Sequence, residues 1–91
     1  MKVLIADDSL YTTTLLKMLF LKLNLEVLDS VSDGDHVIHA IETLKPDLIT
    51  LDNNMPNVRG IEILREMRRT GNNTDVIFIS AAGQNLSLIH I

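Results

Sequence analysis

Four short apolar runs, separated by segments whose apolar residues recur every three or four positions, set the pattern of this 91-residue chain. Val3 to Ala6, Leu48 to Leu51 and Val76 to Ile79 are nearly continuous and rich in β-branched residues, as parallel strands covered on both faces should be, and Val27 to Val31 is read as a further strand although Asp29 and Ser30 interrupt it. Three helices are predicted between them. The first starts after Ser9, a favourable N-cap, carries Leu15, Leu16, Leu19, Phe20 and Leu23 on one arc, and ends at Asn24 in a left-handed conformation. The second uses Val37, Ile38, Ile41 and Leu44 and stops before Pro46. The third runs from about Arg59 to Arg69, turns Ile61, Leu64 and Met67 inward, and ends at Gly71. This βαβαβαβ order implies right-handed crossovers and one open parallel sheet, a doubly wound α/β fold in a single domain. No internal repeat, linker or low-complexity tract interrupts it.

Composition narrows the picture. The chain is 46% hydrophobic but only 3% aromatic, so the core is built from Leu, Ile, Val and Met. Its formal charge of -4 argues against a nucleic-acid surface, which needs clustered Lys and Arg. Arg59, Arg65, Arg68 and Arg69 lie near one another, a grouping that a solvated helix face explains. The absence of cysteine removes disulfides and thiolate metal sites. No signal-peptide core and no run near the roughly 20 apolar residues of a membrane span is present. The expectation is a soluble cytoplasmic protein without membrane or nucleic-acid contacts through this segment.

Ligands of open α/β sheets bind beyond the carboxyl ends of the strands, and the acidic residues fall there. Asp7 and Asp8 follow the first strand directly, and Asp52 ends the third, 44 residues after Asp8. With those two strands adjacent, three carboxylates meet in one pocket, where their repulsion calls for a cation. A small set of hard oxygen donors with room left for water and phosphate oxygens suits Mg²⁺. Each piece also has a plainer explanation, since Asp-Asp-Ser after a strand is common helix-capping chemistry and a strand-terminal Asp is a common turn former. Their combination at the ends of strands that pair centrally favours the cation site. His36, His39 and His90 stand apart from the carboxylates and are read as surface or packing residues.

The strings KVLIADDS, PDLITLDNNMP, RGIEIL and VIFISAA resemble successive landmarks of the receiver domains of two-component signalling, of the CheY type, with its flavodoxin-like sheet. The resemblance covers about residues 1 to 85. It implies that Asp7 and Asp8 hold Mg²⁺, that Asp52 is the phosphoacceptor and a further metal ligand, and that Asn54 offers the metal its backbone carbonyl and faces attacking water. It likewise assigns Met55-Pro56 to the turn after the acceptor, Gly60 to the opening of the third helix, and Ser80 with Ala81 to the switch at the end of the fourth strand. Asp-Asp-Ser with a terminal Asp 44 residues on and Met-Pro beyond it is specific as a set; Ser-Ala-Ala alone is equally a simple strand terminator.

The pattern departs from the family at its end. Receiver domains continue through a fourth helix, a fifth strand and a fifth helix, with a phosphate-pairing lysine after that strand. None of these is expected here, so neither that lysine nor the aromatic partner of the switch has a residue in this chain. LSLIHI, residues 86–91, is what CTG TCT CTT ATA CAC ATC encodes, a string resembling the transposase mosaic end of sequencing libraries. The expectation is a receiver segment of residues 1–85 followed by a non-native tail, with any output domain lost. A bare edge on the fourth strand and an uncovered first helix would then expose apolar surface and favour aggregation; the tail could pair with that edge, but six residues do not replace two helices and a strand.

Three functions fit this reading. The first is a phosphoacceptor that takes its phosphoryl group from a sensor histidine kinase and signals to a downstream target or output domain; within it, DLITLDNNMP and SAAGQ resemble chemotaxis-type single-domain regulators. A phosphorylation-independent docking module of the same fold would be favoured by loss of an acidic residue, and none is lost. A Mg²⁺-dependent aspartyl phosphohydrolase would place an Asp-x-Asp string after the first strand, where this chain has Asp7-Asp8.

Overall fold

The central strands are apolar on both sides because helices cover both sides. A computed structural model describes residues 1–82 and 85–90, with side chains described through Ile79. In it β1 (Lys2–Ala6), α1 (Leu10–Lys22), β2 (Glu26–Val31), α2 (Gly34–Leu44), β3 (Leu48–Asp52), α3 (Gly60–Arg69), β4 (Asp75–Ala82) and β5 (Asn85–His90) follow in order. They build one sheet, β2-β1-β3-β4-β5, in which the first four strands are parallel. Val3, Leu4, Ile5, Ala6, Ile49 and Leu51 have no exposed surface. Alternation along the strands sends Leu4, Ala6, Ile49 and Leu51 to a core shared with α2 and α3, and Val3, Ile5 and Leu48 to a smaller one under α1.

The helices begin and end as the local chemistry directs. Ser9 caps α1 by accepting from the Thr12 N–H at 3.2 Å, and Asn24 adopts φ 58° just past its end. Asp33 caps α2 in the same manner, through the Asp35 N–H at 2.8 Å. On α3 the buried inward residues are Ile63, Leu64 and Met67; Ile61, expected inward, is partly buried and packs against the same core.

The arc expected on α1 needs a larger correction. Phe20 is buried and Leu16 packs against the inner cluster, but Leu15, Leu19 and Leu23 are 48%, 49% and 57% exposed. Thr13, Leu16 and Phe20 form the sheet-facing stripe instead. Apolar residues surround this helix almost evenly, so periodicity does not single out one stripe, and only one can face the sheet. The edge of β4 is also not bare. Its backbone pairs with β5 in antiparallel register from Ile77↔His90 to Ala82↔Asn85, so β5 supplies the hydrogen bonds that an open edge would lack.

One buried polar atom is unmatched. Thr50, 1% exposed in the middle of β3, has a hydroxyl with no partner among the described residues. A buried donor without an acceptor is costly, and valine fills nearly the same space. Thr50→Val is expected to raise stability by about 1 kcal/mol, read as a higher midpoint in thermal denaturation.

Candidate functional site

The parallel pairing of β1 with β3, Ala6 opposite Leu51, sets the residues after both strands side by side at one end of the sheet. Asp7, Asp8 and Asp52 each offer a carboxylate oxygen there, all within 4.8 Å of one another. Asp7 is buried, Asp52 half-buried and Asp8 exposed. This burial gradient leaves an open mouth on the Asp8 side.

Backbone donors orient two of the three carboxylates. The Ser9 N–H donates to Asp7 Oδ1 at 2.8 Å, and the Asn54 N–H donates to Asp52 Oδ1 at 3.1 Å. Capping chemistry and the acidic cluster therefore coexist at Asp7. Burial pushes the Asp7 carboxyl up to about 6, against the lowering effect of the Ser9 N–H and with the charges of Asp52 and Asp8 adding to the rise. Burial also raises Asp52, opposed by the Asn54 N–H and reinforced by Asp8. A divalent cation would relieve both effects, and three carboxylates with no sulfur or nitrogen donor suit a hard ion such as Mg²⁺. A cleft of about 230 Å³ beside Asp7 and Asp8 is lined by Ser9, Thr13, Lys17 and Ser32. A larger groove of about 420 Å³ between α1 and β2 contains none of the three clustered carboxylates.

The loop after β3 is fixed at both ends. Asn53 accepts from the Gly60 N–H with its carbonyl and from the Ile61 N–H with its side chain, each at 3.3 Å, and donates its own N–H to the Ile79 carbonyl. It thus caps α3, a role sequence reasoning missed because the capping residue lies well upstream of the helix. Met55 is buried in the larger core and anchors the loop there. Pro56 is exposed, and its carbonyl accepts from Gly34 and Val58. Asn54 is exposed beside Asp52.

Gly60 is needed for space. A Cβ there would collide with the carbonyl oxygen of Asp52 and touch Asn53 Cα, both rigid backbone at the acidic site. Gly60→Ala is expected to destabilise by roughly 1 to 2 kcal/mol, the strain of overpacking exceeding the helix-propensity gain. A denaturant titration checks this.

Ser80 and Ala81 lie on the carboxyl half of β4, opposite Ser87 and Leu86 of β5; their side chains lie outside the described residues. His36 and His39 are exposed on α2 and are not part of the Asp7, Asp8 and Asp52 cluster. The arginines divide their work: Arg68 donates to the Asn72 and Thr74 carbonyls, and Arg69 pairs with Glu66 on the surface of α3. No helix among the described residues is long and apolar enough to cross a membrane.

The parallel strands β2-β1-β3-β4, with an acidic cluster at their carboxyl ends, match the fold of solved response-regulator receiver domains. The chain belongs to that family, whose model matches residues 3–90. It is therefore a signalling domain of two-component systems, a family that binds Mg²⁺ at an acidic site and interacts with histidine kinases and with output or effector partners. It is 33% identical over 88 residues to the chemotaxis protein CheY of Thermotoga maritima, covering 97% of this chain and 73% of that protein. It is 31% identical over 81 residues to the DNA-binding transcriptional activator EvgA of Escherichia coli K12, covering 89% of this chain but 40% of that one. The Borrelia burgdorferi CheX-CheY-BeF3-Mg²⁺ complex contains a chain that matches with a TM-score of 0.79 and 35% identity, over 92% of this chain and 64% of that one. The chain thus spans less than two thirds of the activator and of the Borrelia chain.

Proposed function

We propose that this chain accepts a phosphoryl group on Asp52 from the phosphohistidine of a sensor histidine kinase, at a Mg²⁺ site formed by Asp7, Asp8, Asp52 and the backbone carbonyl of Asn54. The observation that carries this reading is the meeting of three carboxylates within 4.8 Å at the ends of two adjacent parallel strands. The similar chain of the Borrelia CheX-CheY complex, solved with beryllium fluoride and magnesium, supports the same chemistry here.

Of the three carboxylates, Asp52 suits the nucleophile's part. Its Oδ1 is held by the Asn54 N–H, which leaves Oδ2 to attack. The new P–O bond forms as the P–N bond to the donor imidazole breaks, and the departing nitrogen keeps the electron pair and takes up a proton. Bound Mg²⁺ would supply positive charge for the oxygens of the transferring group, the dominant need of such reactions. Asp7, buried and fixed by Ser9, keeps the metal-binding face in place, while the exposed Asp8 stands at its open, solvent-facing mouth. Water attack at phosphorus later returns the carboxylate and inorganic phosphate, with Asn54 at the exposed approach. Ser80, followed by the small Ala81, is the switch: its hydroxyl donates to the phosphoryl group and biases a two-state equilibrium of the neighbouring loop. Met55, Pro56 and Gly60 shape the loop that carries Asn54. The setting is the cytoplasm, and the output resembles the chemotaxis type.

Incubation with acetyl phosphate tests the reading. Labelling is expected with Mg²⁺, is expected to vanish with EDTA, and should be released by hydroxylamine as an acyl phosphate is. Labelling that survives EDTA and hydroxylamine would sink it.

A further inference from the structure

Asp33 and Asn57 lie 24 positions apart, yet the Asn57 side-chain amide donates to Asp33 Oδ2 at 2.9 Å. The other oxygen of Asp33 accepts from the Asp35 N–H at 2.8 Å. One carboxylate therefore caps α2 and grips the loop that follows Asp52. Asn57 holds a φ of 71°, a left-handed conformation that Asn tolerates better than most residues. Two further contacts join the same elements. The Gly34 N–H donates to the Pro56 carbonyl at 3.2 Å, and a Cβ on Gly34 would lie 2.5 Å from the Val58 carbonyl oxygen. Glycine at the first position of α2 is thus what lets the loop seat there. The amino end of α2 is itself fixed, through Val37 and Ile41, on the larger core.

We propose that Asp33 and Asn57 are positioning residues for the phosphoryl-transfer site: their hydrogen bond clamps the loop from Asn54 to Val58 onto the amino end of α2, and so sets where the Asn54 backbone meets Asp52. The inference rests on the reading of Asp52 and its Mg²⁺ site given above. It adds two residues outside the acidic cluster to the machinery. The Asn57 amide also holds the Asp33 carboxyl below its ordinary range, with the Asp35 N–H acting in the same direction, as a well-formed contact requires. Without the clamp, the exposed Asn54 segment is held at the α3 end by Asn53, in the core by Met55 and on its α2 side by the single Gly34 N–H to Pro56 hydrogen bond, a weaker tether with no side-chain grip on the loop.

An exchange of the pair gives the test. Asn57→Ala removes the donor, and Asn57→Asp sets two carboxylates against each other. Adding Asp33→Asn to Asn57→Asp restores a donor and an acceptor with the formal charge unchanged, and Asn caps helices as well as Asp. Three readouts on the full chain are compared: Mg²⁺ affinity by titration, hydrogen exchange of the Asn54 and Val58 amides without metal, and thermal midpoint. Both single variants are expected to bind Mg²⁺ roughly fivefold more weakly, as loss of one net hydrogen bond allows, and to exchange those amides faster. The exchanged pair is expected to recover both. Unchanged amide exchange in the single variants, or failure of the exchanged pair to recover, overturns the clamp, as does a fall in thermal midpoint with Mg²⁺ affinity intact. Wild-type protein that binds no Mg²⁺ would refute the metal-site reading instead, while the metal-free exchange still decides the clamp.

Discussion

Asp52→Asn is expected to lose phosphoryl incorporation by on the order of a thousandfold or more while leaving the fold in place. The amide keeps the shape of the side chain and can still accept from the Asn54 N–H through its oxygen. It cannot supply the anionic oxygen that attacks phosphorus. Because Asp52 is raised by burial and by Asp8, removing its charge also relieves repulsion, so the metal-free variant should unfold at the wild-type temperature or above. Undiminished labelling of a well-folded Asn variant would show that another residue accepts the group.

Asp7→Asn is expected to act in opposite directions on stability and on metal binding. The Asp7 carboxyl sits at about 6 in the metal-free fold, against an ordinary value of 3.8, so the folded state holds this proton more tightly than the unfolded chain does. Its stabilising influence is complete below the ordinary value. It is lost as pH rises through the window to about 6, beyond which the folded protein bears the cost of a buried carboxylate, on the order of 3 kcal/mol. At pH 8 without metal, Asp7→Asn should therefore be more stable than wild type by about 2 kcal/mol, and the gap should close as pH falls below the ordinary carboxylate value. Mg²⁺ should stabilise wild type in proportion to the logarithm of its concentration and barely stabilise the variant. In wild type, proton competition should weaken Mg²⁺ binding as pH falls below about 6. Melts across pH with and without Mg²⁺ check all of this, and equal metal responses would move the site elsewhere.

What sequence made legible, and what it did not, divides along physical lines. The strands of a buried parallel sheet must be apolar at every position, so Val3 to Ala6 and Leu48 to Leu51 announce themselves, and the acidic residues at their ends follow. Asn24 and Ser9 act locally and were equally readable. The face of α1 was not, because Leu15, Met18, Leu19, Leu21 and Leu23 surround the helix and only the sheet selects Leu16 and Phe20. Nor was the contact of Asp33 with Asn57, or the tight seats of Gly34 and Gly60, since each depends on a neighbour brought close by the crossover. The pairing of β5 with β4 was legible only as an available edge and an apolar segment able to fill it.

The acceptor can be identified chemically. Borohydride reduces an aspartyl phosphate to homoserine, which marks the residue that carried the group. Protein incubated with acetyl phosphate, with or without Mg²⁺, then reduced and sequenced by mass spectrometry, is expected to carry homoserine at position 52 in the Mg²⁺ sample alone. Homoserine at position 7 or 8, or phosphate remaining on a hydroxyl or imidazole side chain with Asp52 unmodified, would contradict the assignment of Asp52 as the phosphoacceptor.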